Sequence, residues 1–401
     1  MKEATGPLKG LRVLDLTRVL AGPTCTQMLG DLGAEVIKIE RPGSGDDTRG
    51  FAPPVMPGTA ESAYFIGVNR NKRSVTLDIS SPEGQAIIRK LLADCDMLVE
   101  NFKVGQLAKY GLGYEQVHGE FPGLIYCSIT GFGQTGPYAP RPGYDSLIQA
   151  MGGVMSLTGE PDGLPQKVGV PVADLFAGLY GCIGLLAALH HRERTGHGQQ
   201  VDIGMLDTHV AWLANQGMNY LATGENPVRL GNQHPNIVPY QVFPTADGHI
   251  VLSVGNDPTF KRFCENFGVA HLLDDPRFAT NPARVANRQL VTDTLTPLLR
   301  SHPTLWWVDK LEPLKIGCGP INKLAEVFAD PHVRARGVEV TMQHSSGADV
   351  KVIANPVRLS ETPADYRFPP PLLGEHTEEV LEDLLDISAE DYAALKAKGI
   401  V

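Results

Sequence analysis

The sequence has no CxxC pair. Its six cysteines, Cys25, Cys95, Cys127, Cys182, Cys264 and Cys318, are scattered, which indicates neither a disulfide framework nor a zinc site and leads us to expect a reducing compartment. Positive charge is also short. Thirty-five Lys and Arg stand against forty-five Asp and Glu, for a formal charge of −10, so the chain repels phosphate backbones and anionic lipid. No nucleic-acid or membrane partner is expected, and any anionic ligand must be met by a local basic site. The first residues, MKEATGPLKGLRVLDL, lack an apolar stretch flanked as a secretion signal. No later run is read as reaching the ~18 apolar residues of a membrane span, so the expected location is cytoplasmic. GxxxxGK[ST], GxSxG and HExxH are all missing. GDLGAE (Gly30 to Glu35) lies between a helix and a strand, the wrong order for a dinucleotide fingerprint, so ATP, nicotinamide and metal catalysis lose support. No internal repeat or low-complexity segment is present.

What remains is an ordinary globular composition, 42% hydrophobic and 20% charged, in 401 residues, enough for two or three domains with buried cores. LRVLDL (Leu11 to Leu16), AEVIKIE (Ala34 to Glu40), SVTLDIS, DMLVENF and LIYCSIT read as strands alternating with helices. That alternation predicts a largely parallel sheet covered on both faces. A helix begins near Pro23. A second runs from Ser81-Pro82 to about Cys95, on capping-box spacing with proline in the first turn. LFAGLYGCIGLLAALHHRERTGHG reads as a well-buried helix ending in basic residues and Gly196, and one further helix runs from Met205 to about Thr223. The predicted organisation is α/β: residues 1–205 form the first part of a large domain, 206–225 a linker helix, 226–330 a smaller α+β domain, and 331–401 a return segment completing the large domain.

Asp174 in VADLFAG stands where a strand-like run gives way to a helix. Its ordinary role there is an N-cap, whose oxygens accept from unpaired helix amides. A nucleophile or base is compatible with that position, because the same amides and helix dipole stabilise developing negative charge. NRNKR (Asn69 to Arg73) concentrates three cations in five residues. In an acidic chain this is either a solvated turn or a phosphate or carboxylate clamp. Arg41 and Arg49, which bracket RPGSGDDTR, have the same two readings near a strand end where a ribose or phosphate would lie in an open sheet. The glycines of ITGFGQTGP permit close backbone approach to a ligand.

LDLTRVLAGP, LGAEVIKIERPGSGDDTR, NRNKRS, LVENF, GLGY, SITGFGQTGP, VADLFAGLYG, IVPYQVF, GPIN and PPPLLGEHT, in that order, resemble the class III CoA-transferases across essentially the whole chain. The resemblance implies a Rossmann-like large domain plus a smaller domain in an interlocked homodimer. It makes Asp174 the nucleophile that attacks an acyl-CoA thioester, passing through an aspartyl anhydride and an aspartyl-CoA thioester. By position it assigns Arg18, Val19, Ala21, Arg41, Lys72, Asn101, Phe102 and Lys109 to coenzyme A, and Arg70 and Tyr144 to the second substrate, with Arg70 holding a distal carboxylate. No cofactor is expected to be tightly bound; coenzyme A enters as acyl-CoA. The implied reaction moves CoA from a donor such as succinyl-CoA to a small dicarboxylic acid such as glutarate, 3-hydroxymethylglutarate or itaconate. Formyl/oxalate-type transfer is the alternative. An α-methylacyl-CoA racemase is disfavoured, because Tyr144 stands where racemases carry histidine and a phenol with pKa near 10 is a poor proton shuttle. GNQHP (Gly231 to Pro235) replaces the glycine-rich lid of the formyl-CoA enzymes and argues against oxalate.

Overall fold

The computed structural model describes residues 4–401. Two compact units emerge. The first comprises the chain up to Gly152, Val168–Trp212 and Arg334–Val401; the second comprises Gly153–Lys167 and Leu213–Val333.

The first unit is built on six strands, β1 (Arg12–Asp15), β2 (Glu35–Glu40), β3 (Lys72–Thr76), β4 (Met97–Glu100), β5 (Ile125–Thr130) and β6 (Gln200–Gly204). They are ordered β3-β2-β1-β4-β5-β6 and all paired parallel. Both faces are covered, so each strand sends apolar residues to both sides of the sheet, with Asp15, Lys38 and Lys72 buried among them. One face packs Val13, Val36, Val99, Cys127 and Ile129; the other packs Leu14, Ile37, Val75, Leu98 and Tyr126. In this strand order the direction of winding reverses between β1 and β4. The loops leaving those two strands diverge there, which opens a crevice at their C-terminal ends.

Helices along the chain up to residue 223 are α1 (Ala21–Asp31), α2 (Ala63–Val68), α3 (Pro82–Leu92), α4 (Tyr114–Glu120), α5 (Asp145–Met151), α6 (Val154–Leu157), α7 (Val172–Thr195), α8 (Met205–Ala211) and α9 (Ala214–Thr223), of which α6 and α9 belong to the second unit. Ser81 caps α3 as its spacing predicts, its Oγ accepting from Gly84 N–H at 3.0 Å. Gly196 ends α7 with φ of 77°, a conformation glycine adopts without penalty. Helix α7 runs against α1 on the sheet, and its small residues decide how closely. A Cβ on Gly178 would lie 2.6 Å from the Ala21 carbonyl oxygen, and one on Gly181 3.3 Å from Cys25 Sγ. Asp174, Gly178 and Gly181 are spaced i, i+4, i+7 and share one helix face, so the contact that needs glycine also carries Asp174 to the end of β1.

Several expectations are corrected. Mean hydropathy over α7 reaches 1.9 across a length able to span a membrane, so one run does meet the criterion read as unmet. Its residues Ala177, Gly178, Gly181, Leu185 and Ala188 are buried within this unit. The helix expected from Met205 to Thr223 breaks at Trp212–Leu213, where Ala214 takes φ of 47°. Residues 153–167, expected in the large domain, belong to the second unit. There Arg229 Nη2 donates to the Gly163 carbonyl at 2.7 Å, and Gly231 N–H donates to the Gly159 carbonyl at 3.1 Å. Strand β6, too polar in sequence to stand out, was not anticipated.

The second unit holds an antiparallel sheet of β7 (Tyr240–Pro244), β8 (His249–Ser253) and β9 (Gly317–Pro320), packed with helices around Phe243, Ile250, Phe263 and Trp307. The return segment adds the hairpin β10 (Glu339–Gln343) and β11 (Asp349–Ile353) to the first unit. Its chain then clips onto β3 through His376 N–H to the Ser74 carbonyl at 2.9 Å.

The α1–α7 contact yields a test. Valine at Gly178 gains little in helix propensity, while overpacking against backbone costs roughly 1–3 kcal/mol. Gly178→Val should therefore lower the unfolding free energy by that amount, seen as a lower urea midpoint, and depress activity as Asp174 shifts. An unchanged midpoint would show that the helices are free to separate.

Candidate active site

The loop after β1 rests on buried charge. Asp15, fully buried, ends β1 and accepts from Thr17 N–H at 2.8 Å and Thr26 Oγ1 at 2.7 Å. It also pairs with Lys72 Nζ at 3.1 Å. Beside it, Lys38 Nζ pairs with Asp46 at 2.9 Å and donates to the Thr17 carbonyl at 2.8 Å. Burial alone would raise the Asp15 carboxyl, but Lys72, Lys38 and the two threonine hydroxyls outweigh it and hold the group at about 2. Asp46 continues upward and accepts from Val19 N–H at 3.2 Å, which helps hold Val19 at φ of 71°, a conformation costly for a β-branched residue. Across the crevice Asn101, just past β4, bonds both backbone groups of Arg18. Its Oδ1 accepts from Arg18 N–H at 2.9 Å and its Nδ2 donates to the Arg18 carbonyl at 2.7 Å.

These supports shape a cleft of about 260 Å³ lined by Arg18, Val19, Ala21, Asn101, Phe102, Tyr144 and Asp174, together with Lys103, Arg141 and Asp145. An adjoining groove of about 290 Å³ runs over the ends of β2 and β3. Arg18, Phe102 and Gln106 are common to both, and Arg41, Asp78 and Tyr110 line its far part. Lys109 is exposed on the short 3₁₀ turn Leu107–Tyr110 that supplies Tyr110. A small acyl cleft continuous with a longer groove suits a thioester at one end and a nucleotide at the other.

Asp174 is the third residue of α7 and does not cap it; Pro171 occupies the N-cap position. The carboxylate that satisfies this helix end is Asp145, whose Oδ1 accepts from Ala173 N–H at 2.9 Å while its Oδ2 accepts from Gln149 Nε2 at 2.8 Å. A helix N-terminus by itself favours the charged carboxylate. Here burial, and then the neighbouring charge of Asp145, push Asp174 the other way, up to about 7. The phenol of Tyr64, at the start of α2, is raised by burial and by the charge of Asp174, Asp145 and Asp46. Asp145, Tyr64, Lys103 and Arg141 lay outside the residues singled out for the site. The only sequence signal was the placing of Lys103, Arg141 and Asp145 within a few residues of strand ends or of Tyr144.

Two expected site residues are corrected. Arg70 is 3% exposed, and its guanidinium is consumed inside the unit. Nε and Nη2 donate to the two oxygens of Asp31 at 2.9 and 2.6 Å, and Nη1 donates to the Ile353 carbonyl at 2.9 Å. Three of its five N–H groups are taken, and at that burial it does not line the cleft. Lys72 is buried beneath the β1 loop, so its ammonium supports the cleft from below without reaching it. The rest of NRNKR behaves alike, since Arg73 pairs with Glu35 at 2.8 Å and Glu379 at 3.0 Å. Arg49 is held by Glu40 and Glu61 at 2.7 and 3.0 Å. The cations that looked like a clamp are the fold's internal counter-charges.

Comparison with known proteins agrees with this architecture. Residues 8–377 match CoA-transferase family III. The succinate–glutarate CoA-transferase of Agrobacterium fabrum is 49% identical, over 94% of this chain and 96% of its own. The human succinyl-CoA:glutarate CoA-transferase is 42% identical over 98% and 90%. Among solved structures, a CaiB/BaiF family protein from Brucella suis superposes with a TM-score of 0.84 at 46% identity, covering 95% of this chain and all of that one. The chain belongs to the class III CoA-transferase family, and it is an enzyme of CoA transfer whose thioester is a substrate and not a resident cofactor.

A nucleophilic carboxylate must be ionised, so kcat/KM for transfer should fall as pH drops through about 7. Asp145→Asn keeps an acceptor for Ala173 N–H but removes the neighbouring charge, and should move this acid limb to lower pH. A limb that stays put in the Asn variant would show that Asp145 acts only as a cap.

Proposed function

We propose that this enzyme moves CoA from succinyl-CoA to a small dicarboxylic acid, with glutarate the leading acceptor, and that Asp174 is its nucleophile. The observation that carries the mechanism is the placing of Asp174: a half-buried carboxylate at the first turn of α7, raised in proton affinity, opening onto a cleft that runs into a nucleotide-sized groove. The relatives named for succinate and glutarate support the substrates.

Ionised Asp174 attacks the thioester carbonyl of succinyl-CoA. The C–S bond breaks, CoA leaves as thiolate, and a mixed aspartyl–succinyl anhydride remains. The thiolate attacks the aspartyl carbonyl, releasing succinate and leaving an aspartyl-CoA thioester. A carboxylate of glutarate displaces the thiolate to form a second anhydride. The thiolate then attacks its glutaryl carbonyl, giving glutaryl-CoA and free Asp174. Each step exchanges one acyl bond for another, so the thioester's free energy is conserved without ATP. The helix dipole at the start of α7 faces the oxyanion of each tetrahedral intermediate. Arg18, Val19, Ala21, Asn101 and Phe102 form the wall along which the pantetheine arm lies in this reading, with Arg41 and Lys109 toward the nucleotide end and Tyr144 beside the acyl group.

The strand order β3-β2-β1-β4-β5-β6 supports a Rossmann-like large domain. All six cysteines are free thiols, which supports a reducing, cytoplasmic setting. An interlocked homodimer is the assembly we infer. Leu179, Tyr180 and Ile183, on the outer side of α7, are 38%, 40% and 61% exposed in the single chain, an apolar strip that a second chain would cover. A single-chain mass in analytical sedimentation would remove the dimer from this reading.

Asp174→Ala should abolish transfer while CoA still binds, and hydroxylamine should trap a wild-type aspartyl adduct after succinyl-CoA is added. Transfer near the wild-type rate in the Ala variant would overturn the mechanism.

A further inference from the structure

With Arg70 turned inward, the cation that would accept a substrate's second carboxylate has to come from elsewhere in the cleft. We propose that Arg141 holds the distal carboxylate of the dicarboxylic acid while the other end reacts at Asp174. This rests on the reading above that both substrates are dicarboxylic.

The need for a cation follows from the cleft's own charge. Asp174 and Asp145 stand together there, and the chain as a whole is acidic, so a doubly charged acid approaching them is repelled unless its far end is neutralised. Three cations line the cleft: Arg18, Lys103 and Arg141. Arg18 is already paired with Asp47 at 3.0 Å and lies with Cζ 5.4 Å from the Phe102 ring centroid. Lys103 is an exposed ammonium, a point charge on a flexible stem without a fixed geometry. Arg141 alone combines an uncommitted fork with a fixed plane. Its Cζ sits 3.9 Å from the centroid of the Tyr138 ring. Among the described residues no carboxylate or carbonyl accepts from its guanidinium.

The loop carrying Arg141 is held at both ends. At its root Gly131 and Gly143 meet backbone to backbone, where a Cβ on Gly131 would stand 2.5 Å from Gly143 Cα. Along it Phe132 is buried and packs edge-on to Tyr138 with ring centroids 5.6 Å apart, and Arg141 N–H donates to the Tyr138 carbonyl at 2.8 Å. Four residues after Arg141 the chain reaches Asp145, which is bonded to the first turn of α7 beside Asp174. One loop thus carries the guanidinium and, through Asp145, bonds the helix turn that bears Asp174. A stacked guanidinium offers two parallel N–H groups to a carboxylate and loses little freedom when it binds.

The test measures kcat/KM for glutarate and for butyrate, with succinyl-CoA as donor, in wild type, Arg141→Lys, Arg141→Met and Arg70→Met, together with the Kd of free CoA. Arg141 is exposed, so its variants should fold. Arg141→Met should lower the glutarate value by roughly 10- to 100-fold, the worth of a charge-assisted hydrogen-bonded pair. Butyrate and CoA affinity should change by less than about threefold on the same scale. Arg141→Lys should fall between wild type and Arg141→Met. Arg70→Met should depress both acceptors together through loss of folded protein. Parallel losses for both acids in Arg141→Met, or a matching loss of CoA affinity, would overturn the assignment and make Arg141 a CoA contact. If the wild type takes butyrate as readily as glutarate, the dicarboxylate reading fails first and this proposal falls with it; if the wild type discriminates and Arg141→Met still does, only Arg141 is wrong.

Discussion

The cleft stands on a set of charges that never meet solvent. Asp15 at the end of β1 pairs with Lys72 at the start of β3, and Lys38 within β2 pairs with Asp46, beneath the loop that carries Arg18, Val19 and Ala21. Burying four charges is costly, and an apolar replacement of the same shape is often at least as stable. Removing one partner is different, because it strands a bare charge, at a cost of about 3–5 kcal/mol. The value of the network is therefore positional. Several further bonds of these groups reach the loop: Thr17 N–H and hydroxyl donate to Asp15, Lys38 donates to the Thr17 carbonyl, and Val19 N–H donates to Asp46. A hydrophobic filling could support this loop but could not orient its backbone groups.

The orientation matters because the chain lacks the glycine turn that lets dinucleotide-binding folds bring backbone close to a pyrophosphate. The first βα turn reads DLTRVLAGP, and the position at left-handed φ is occupied by Val19. Such a conformation persists only where the surroundings over-determine it. Asp46 from below and Asn101 on the neighbouring Arg18 provide that constraint, and they do so at the point where strand winding reverses. A cleft made this way is shaped by side chains of fixed placement, and its walls can be apolar where a phosphate cradle would have to be open.

Most of the sheet was legible because strands such as RVLD, EVIKIE, MLVE and IYCSIT place apolar, often β-branched, residues on two covered faces between helical stretches. Strand β6, QVDIG, pairs on one side only, at the sheet edge, and its mixed composition left no such pattern. Asp174 was legible as a functional candidate, but the ordinary role given to it belonged to Asp145, since a cap can come from a residue 28 positions earlier in the chain and no local spacing reports that. The NRNKR cluster misled for a similar reason. Its cations pair with Asp31, Asp15 and Glu35, partners that lie far off in sequence and become neighbours only when β3 joins β2 and β1. A run of charge in a sequence shows that counter-charges are needed; the topology decides whether the protein or a ligand supplies them.

In the mechanism proposed, that distinction also bears on how a carboxylate would become a usable nucleophile. A solvated aspartate is ionised at neutral pH but weakly basic and well hydrated, and both properties blunt its attack on a thioester. Asp174 is raised by desolvation first and by Asp145 second, so its basicity comes without any hydrogen bond that would have to break as the anhydride forms. The opposite treatment is given to Asp15, which is buried more deeply still but is saturated with donors and cations and held at about 2. Two aspartates near the end of the same strand are thus driven in opposite directions by one variable, the presence or absence of paired charge. The fold uses up its internal cations on Asp15 and leaves Asp174 unpaired, and so, in the reaction proposed, a substrate bearing a second negative charge would find its cation on the loop that carries Arg141.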